Sequence, residues 1–562
     1  MCGIFGILNY DIKSEELRKQ IHNHFMMGSK RGPEFSKINY VNQYIMIGFH
    51  RLAINGLNPK SHQPFHILDT QSVTNGEIYN HVELTNKFDF KMKTQSDCEV
   101  ITHLYSFVQE HCFNMLDGVF ATIIFDEVSN KVIVARDPYG VRPLYICHYE
   151  NGGIGFCSDI EPLLFDTKIV NIDQFNPGCF QCYEFDNNSL RYVMNKHMRY
   201  FNYHPMNDTM TMTKHNLTPN IEYYMEKFVI LLRKAIKKRV ENCERQICCL
   251  LSGGLDSSII SAFVTRFMKQ KNPNANIETY SIGLKNATDF KYARLVAEHI
   301  GSIHQEIIKT NDEFIDSIPN VIRDIETYDT TTVRASVGNW NIGKYIKKNS
   351  LAKVVFNGDG ADELMGGYMY FHKAPNDREF DNECRRLLQN ISHYDVLRSD
   401  KSISSHGLEP RTPFLDKELT QYYLSIPVFY RNHVNENRCE KYFIRKAIEI
   451  FEPNLLPSEV LWRTKEAFSD GVSSIEKSWY EIIQENVKNK IQENRKIENC
   501  LMNPETSEQM YYQRIFLDNF GETCVNINKY YRMPKYVEAN DSSARTLNIY
   551  KIKQDKIIDK GN

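Results

Sequence analysis

Residues 249–258, CLLSGGLDSS, constrain this chain more than any other stretch. Ile247, Cys248, Cys249, Leu250 and Leu251 read as a short buried strand. Ser252, Gly253, Gly254, Leu255, Asp256 and Ser257 make a tight polar loop. From Ser258 to Met268 the spacing of Ile259, Ile260, Phe263, Val264 and Phe267 predicts a helix. Strand, glycine loop and helix N-terminus together suit an anion: the glycines admit backbone N–H groups, the hydroxyls donate, and the helix dipole favours negative charge. No Gly-Lys-Ser/Thr follows, so this is not a Walker loop. The alternative is a βα turn that binds nothing.

Further strands and helices alternate behind it. Residues 278–283 and 303–308 read as strands, 289–300 as a helix and 354–356 as another strand. This alternation predicts a doubly wound parallel sheet, with ligands at the carboxyl ends of the strands, where the SGGLDS loop falls. The six loop residues resemble the pyrophosphate loop of the ATP pyrophosphatase family, which implies cleavage of ATP to AMP and pyrophosphate.

A chain of 562 residues exceeds one hydrophobic core. Its net charge of −2 offers no bulk attraction for nucleic acid. The 14 cysteines sit mostly in apolar runs without disulfide-framework or C-x-x-C spacing, which fits a reducing, cytoplasmic setting. The N-terminus lacks a basic segment ahead of an apolar one, and no apolar run is long enough for a bilayer, so neither a signal peptide nor a membrane partner is expected.

Residues 2–8, CGIFGIL, read as a strand beginning at the second residue. Methionine before a small residue is normally removed, which leaves Cys2 at the amino terminus. Such a cysteine carries its own base, since an α-amino group titrates at about 7.7–8.0 and a thiol near about 8.5. A positioned base contributes roughly 10²–10⁴ in rate. The alternative is a buried cysteine on a strand. Arg31, Gly32 and Pro33 then form a turn, residues 50–54 (HRLAI) a short strand, and residues 74–80 (TNGEIYN) a turn entering a helix. Ser96 is placed to cap a helix that follows, and residues 116–121 read as a buried strand.

CGIFGI, RLAI, NGEIYN, SDCEV, LDGVFA and RDPYGVRPLY, in this order, resemble the class II glutamine amidotransferase domain over residues 2–190. The resemblance implies an N-terminal-nucleophile sandwich of antiparallel sheets between helices. It implies that Cys2 attacks the glutamine side-chain amide, with Asn75 and the Gly76 N–H as the oxyanion hole. Losing one such donor typically costs about 3–4 kcal/mol. Arg51 would hold the glutamine α-carboxylate by a fork lysine cannot supply. Glu77 and Asp97 would hold the α-ammonium, and Leu52, Ala53, Ile54 and Asn55 would line the pocket. One departure is that the family's His-Arg-Gly-Pro-Asp is here Lys30-Arg31-Gly32-Pro33-Glu34.

Residues 191–218 show little periodicity and read as a connector, with a long amphipathic helix over 219–240. Residues 219–540 form the second domain and 541–562 a polar tail. Residues 328–335 are polar and carry Arg334. The strand at 354–356 ends in NGDGADELMGGY (357–368), a glycine- and carboxylate-rich loop suited to a metal–nucleotide site; a solvated acidic loop is the alternative. This loop, residues 398–401, GLEPRTPFLD (407–416), WRTKEAFSDGV (462–472) and Pro534-Lys535-Tyr536 resemble the glutamine-hydrolysing asparagine synthetases over nearly the whole chain.

That resemblance implies aspartate, ATP and Mg²⁺ as inputs, with β-aspartyl-AMP as the intermediate, and is compatible with a homodimer. Leu251, Ser252, Gly253, Gly254, Asp256, Ser257, Ile282, Asn357 and Gly358 would contact ATP. Lys465 and Arg334 would offset phosphate charge, and Asp256 and Asp362 are hard oxygen ligands for Mg²⁺. The family's Ser-Gly-Glu-Gly is here Asn357-Gly358-Asp359-Gly360. Asp359 would serve as catalytic carboxylate one methylene short, and a misplacement of about 1 Å costs roughly 10²-fold. Three alternatives remain: an amide-forming ligase with another carboxylate acceptor, a glutaminase with a binding-only second half, and a non-catalytic scaffold.

Overall fold

The computed structural model describes residues 1–10, 12–203, 220–436, 438–465, 479–488, 490, 497–539 and 541. Residues 204–218 of the expected connector, 466–472 of the late motif and 542–562 of the expected tail lie outside these.

The first half is built on twelve strands: β1 (Gly3–Leu8), β2 (Phe35–Tyr40), β3 (Ile45–Arg51), β4 (Phe65–Ile67), β5 (Thr70–Ile78), β6 (Gly118–Asp126), β7 (Lys131–Arg136), β8 (Tyr145–Tyr149), β9 (Ile154–Cys157), β10 (Ile169–Gln174), β11 (Cys179–Asp186) and β12 (Arg191–Arg199). They form two six-stranded sheets, β10-β8-β9-β1-β3-β2 and β12-β11-β7-β6-β5-β4, paired antiparallel. Ile4, Leu8, Ile47 and Phe49 of the first meet Val73, Ile123, Phe125 and Val134 of the second in a buried core. The helix Glu15–Met27 (α1) packs Ile21 and Phe25 with Phe5 and Ile7 on the outer face of the first sheet. The helix Glu99–Val108 (α2) packs Ile101 and Leu104 with Ile78 and Ile124 on the second. This is the expected sandwich.

Three local readings differ. Asn75 and Gly76 lie inside β5, not in a turn, because β5 pairs residue for residue with β6 and buries Asn75 opposite Ala121. Sheet pairing outweighs the Asn-Gly turn signal here. Residues 191–199, expected in the connector, form β12 and pair with β11 from Cys179↔Arg199 to Asp186↔Arg191. Ser96 does not cap α2 with its side chain; its carbonyl accepts the Glu99 N–H at 3.3 Å.

The second half carries the parallel sheet. The helix Ile221–Glu241 (α3) leads to β13 (Ile247–Leu250) and the helix Leu255–Lys271 (α4). There follow β14 (Glu278–Leu284), the helix Thr288–Ile300 (α5), β15 (Ile303–Lys309), the helix Thr330–Asn349 (α6), β16 (Val354–Phe356), the helix Asp395–Ser404 (α7) and β17 (Glu409–Arg411). The strand order is β15-β14-β13-β16-β17, all pairs parallel. The chain winds outward from β13 to β15, then crosses back to β16 on the other side. The switch point therefore lies between β13 and β16, whose carboxyl ends open into the SGGLDS and NGDG loops. All 14 cysteines are free thiols. Among the described residues no helix is long and apolar enough to cross a membrane.

Candidate active sites

The first site forms where β1 begins. Cys2 lies one residue ahead of the first β1–β3 pair, Gly3↔His50, and its Sγ donates to the Leu52 carbonyl at 3.5 Å. The Met1 ammonium donates to Leu408 O at 3.0 Å, so this end of the chain is buried against the second half. Burial pushes the Cys2 thiol up to about 11 and the Met1 amine down to about 5. While Met1 remains attached, the sulfur is a poor nucleophile at neutral pH.

Asn75 is completely buried, and both its side-chain Nδ2 and Oδ1 lack a hydrogen-bond partner. An amide orphaned inside a protein costs stability, so the pair marks a place for a ligand. Arg51 is buried, and its guanidinium donates to the carbonyls of Asn58 at 3.1 Å, Asn55 at 3.3 Å and Gly56 at 2.5 Å, and to His62 Nδ1 at 2.8 Å. It thereby shapes the loop that carries Leu52, Ala53, Ile54 and Asn55. Asn55 Nδ2 donates to Glu77 Oε2 at 2.8 Å, and Asp97 Oδ2 accepts the Ile78 N–H at 2.6 Å. Burial raises both the Glu77 and the Asp97 carboxyls above the ordinary range.

The second half closes this site. Asn242, just past α3, donates to Glu77 Oε2 at 2.7 Å; Arg411 of β17 lies 3.2 Å from the same oxygen. Glu244 accepts from the Gly56 N–H at 2.7 Å. No local motif singles out Asn242 or Glu244, which act across the interdomain seam; Arg411 lies in GLEPRTPFLD, but nothing in that motif points it at Glu77. The departures at Lys30 and Glu34 also reach across it: Lys30 pairs with Asp324 at 2.8 Å, while Glu34 pairs with Arg245 and accepts the Ala53 N–H at 2.8 Å.

The second site is a cavity of about 260 Å³ at the switch point. Leu251, Ser252, Gly254, Asp256, Ser257, Ile282, Asn357, Gly358, Asp359, Asp362 and Lys465 all line it. The loop is tied to itself by its own hydroxyls: Ser252 Oγ and Ser257 Oγ are 3.0 Å apart, and the Gly254 N–H donates to Ser252 Oγ at 3.3 Å. Gly253 has φ +75° and is pressed against α5, where a Cβ would come within 2.4 Å of Ala293 N. At Gly358 a Cβ would come within 2.8 Å of Asp256 Cβ, so the two loops touch only because this residue has no side chain.

Two lysines neutralise the paired aspartates. Lys441 Nζ lies 2.5 Å from Asp256 and 2.6 Å from Asp362, and Lys465 Nζ lies 2.6 Å from Asp362. Burial would raise the Asp362 carboxyl, but Lys441 and Lys465 outweigh it and hold the group below the usual range. Asp256 is raised by burial, with Lys441 opposing. Asp256 Oδ1 is buried and unpartnered. Two carboxylates with an orphaned oxygen beside a phosphate-sized loop fit a hard divalent cation that keeps some of its waters. Lys441 was not singled out from the sequence, since it belongs to no motif and reaches the site only through the fold.

Arg334 corrects an expectation. It does not line the cavity. It points from α6 to Glu508 and Asp541, with N···O distances of 2.6 and 2.7 Å, and stacks over Tyr480. Thr331, Ala335 and Asn339 form the face of α6 that meets the cavity, and Arg334 falls on the neighbouring face. Other arginines line the cavity instead, among them Arg532, which donates to Glu363 at 3.0 Å and to Tyr368 Oη at 2.7 Å, and pairs with Asp395.

Both departures in the carboxylate loop find partners on α7. Asp359 Oδ1 accepts from Arg398 Nη2 at 2.7 Å, while Oδ2 is buried without a partner. Asn357 Nδ2 donates to Ser399 Oγ at 2.7 Å. The next two residues of the same turn face the first half. Asp400 accepts from Arg31 at 2.7 Å, and Lys401 donates to Asp159 at 2.7 Å.

Comparison with known proteins agrees with this two-site layout. A family model described as "Glutamine amidotransferase domain" matches residues 1–215, and one described as "Asparagine synthase" matches residues 227–382 and 372–523. The chain is 38% identical to the Homo sapiens protein named asparagine synthetase [glutamine-hydrolyzing], over 98% of this chain and 99% of that one. It is 39% identical to the Gallus gallus protein of the same name, with the same coverage. With both domain models matched and these relatives aligned over 98% of its length, the chain belongs to the glutamine-hydrolysing asparagine synthetase family.

Proposed function

We propose that this chain converts aspartate to asparagine with ATP, taking the nitrogen from glutamine and releasing glutamate, AMP and pyrophosphate. The observation that carries the reading is the single turn of α7 whose Arg398 and Ser399 hold the carboxylate loop and whose Asp400 and Lys401 hold the domain bearing Cys2.

Removal of Met1 gives Cys2 an α-amine of its own, which takes the thiol proton. The sulfur then adds to the glutamine amide carbon. Asn75 Nδ2 and the Gly76 N–H receive the oxyanion; the burial and vacant hydrogen bonds of the Asn75 amide support this role. Ammonia leaves a thioester, and water releases glutamate. Glu77 and Asp97 bind the glutamine ammonium, and Arg51 binds the carboxylate and orders the 52–55 loop.

In the cavity, the aspartate β-carboxylate attacks the ATP α-phosphorus. A P–O bond forms, the bond to pyrophosphate breaks, and β-aspartyl-AMP results. Ser252, Gly254 and Ser257 cradle phosphate oxygens, and Lys465 and Lys441 offset their charge. Leu251, Ile282, Asn357 and Gly358 bound the nucleotide. Asp256 and Asp362 would hold Mg²⁺, which when bound neutralises phosphate charge. Ammonia then displaces AMP, and Asp359 takes its proton; the buried, unpartnered Oδ2 supports this role. At neutral pH free ammonia is mostly ammonium, so an internal route between the sites belongs to this reading. The free cysteines support a reducing compartment.

Pyrophosphate release with a panel of carboxylate acceptors tests the assignment. Aspartate is expected to be the preferred acceptor, with one AMP per asparagine. Glutamate release without AMP formation would instead leave a glutaminase with a binding-only second half.

A further inference from the structure

A buried arginine, given no role in the reaction proposed above, holds the backbone of Cys2. Arg31 is 1% exposed, and all three of its donating nitrogens are engaged. Nε donates to the Cys2 carbonyl at 3.0 Å, Nη1 to Asp159 at 3.4 Å and Nη2 to Asp400 at 2.7 Å. The first bond acts on the backbone of the nucleophile itself, one residue outside the β1 ladder. The shortest ties the guanidinium to the other domain. Asp159 is the longer contact, at 3.4 Å, and its Oδ1 also accepts from Lys401 at 2.7 Å; Asp400 is the closer partner at 2.7 Å, although it also accepts from Ser404 at 3.2 Å and Arg142 at 3.4 Å. Asp400, also 1% exposed, therefore sets the orientation of the guanidinium.

We propose that Asp400 is a positioning residue for Cys2: through Arg31 it fixes the Cys2 carbonyl, so α7 of the synthetase half aligns the glutaminase nucleophile. The inference rests on Cys2 being that nucleophile. It contacts no substrate, and its effect is geometric. A charge-assisted bond removed here frees the end of β1, and small misplacements of a nucleophile cost roughly 10²-fold at about 1 Å. Glutamine binding uses other groups, so the loss falls on kcat and spares KM.

The test uses the full-length protein carrying Asp400→Asn, Arg31→Gln, both together, and Cys2→Ala. Glutamate release and ammonium-dependent asparagine formation are measured on each. Asp400→Asn is expected to lower glutaminase kcat about tenfold or more. KM for glutamine and ammonium-dependent synthesis should stay within about twofold, because neither glutamine nor the synthetase chemistry touches this residue. The double variant should lose no more than Arg31→Gln alone, the signature of residues acting in series. Glutaminase kcat unchanged in Asp400→Asn, a parallel fall of both activities, or multiplicative losses in the double variant would each overturn the proposal. If Asp400→Asn gives no folded protein, Arg31→Gln carries the same expectation of a kcat loss with synthesis intact. Glutaminase surviving in Cys2→Ala would instead overturn the reading on which the proposal rests.

Discussion

Asn242 donates its side-chain amide to Glu77 at 2.7 Å, so a residue of the synthetase half holds a carboxylate proposed above to bind glutamine. The two halves therefore share side-chain contacts at this carboxylate. Arg411, Glu244 and Arg245 reinforce the same seam from the synthetase side.

The vacant amide of Asn75 leads to the first prediction. Asn75→Ala removes the side-chain donor to the oxyanion and should lower glutaminase kcat by about 10²–10³. Ammonium-dependent synthesis should be unaffected. Steady-state rates with each nitrogen source check this, and a fall confined to KM for glutamine would contradict it.

Arg334 gives a prediction opposite in kind. Its partner Glu508 is fully buried, and Arg334→Ala removes its cation, leaving the carboxylate with the Gln484 amide at 2.6 Å. The expected result is a loss of about 3–5 kcal/mol in urea unfolding, with KM for ATP changed less than about twofold in the protein that remains folded. An intact stability with a large rise in KM for ATP would return Arg334 to the nucleotide.

These two residues show what was legible in the sequence and what was not. The motifs marked the right loops: SGGLDS and NGDG meet at the switch point, and CGIFGI begins the first sheet. Local pattern misjudged Asn75, because pairing along the whole of β5 decides its conformation. Arg334 was placed by composition of its segment, but a helix presents successive residues about 100° apart, and only its neighbours face the cavity. Lys441 and Asn242 were invisible for a different reason, and the contact of Arg411 with Glu77 was equally hidden although Arg411 lies in GLEPRTPFLD. Each reaches its site from a distant part of the chain, and no spacing rule connects it to the motif it serves.

His50 supplies a pH dependence. Its ring stacks on Phe25 at 3.9 Å. The Phe25 carbonyl can only accept, so Nε2 carries the proton and donates at 2.9 Å, and Nδ1 accepts from Ser36. Burial pushes this imidazole from 6.5 down to about 4. The unfolded chain then binds a proton below about pH 6.5 that the folded one refuses until about pH 4, so stability present above 6.5 is lost as the pH falls. Unfolding midpoints at pH 7 and pH 5 should differ less in His50→Gln than in the unaltered protein, by on the order of 1–2 kcal/mol. Equal differences in the two proteins would refute the assignment.

Lys441 offers a prediction at the other site. Lys441→Met leaves Asp256 and Asp362 with Lys465 as the remaining close cation at Asp362. The carboxylate pair is then more negative and attracts a divalent cation more strongly, so the variant should reach half-maximal ATP-dependent turnover at a lower Mg²⁺ concentration, while glutaminase activity persists. An unchanged Mg²⁺ requirement would show that the lysine has no part in balancing the aspartate pair.

The most direct measurement of the two-site account is asparagine formation by Cys2→Ala with aspartate, ATP and Mg²⁺, supplied in parallel with glutamine or with ammonium. The account predicts that the glutamine-driven reaction disappears and the ammonium-driven reaction continues at close to its original rate. Equal loss of both, or survival of the glutamine-driven reaction, would contradict it.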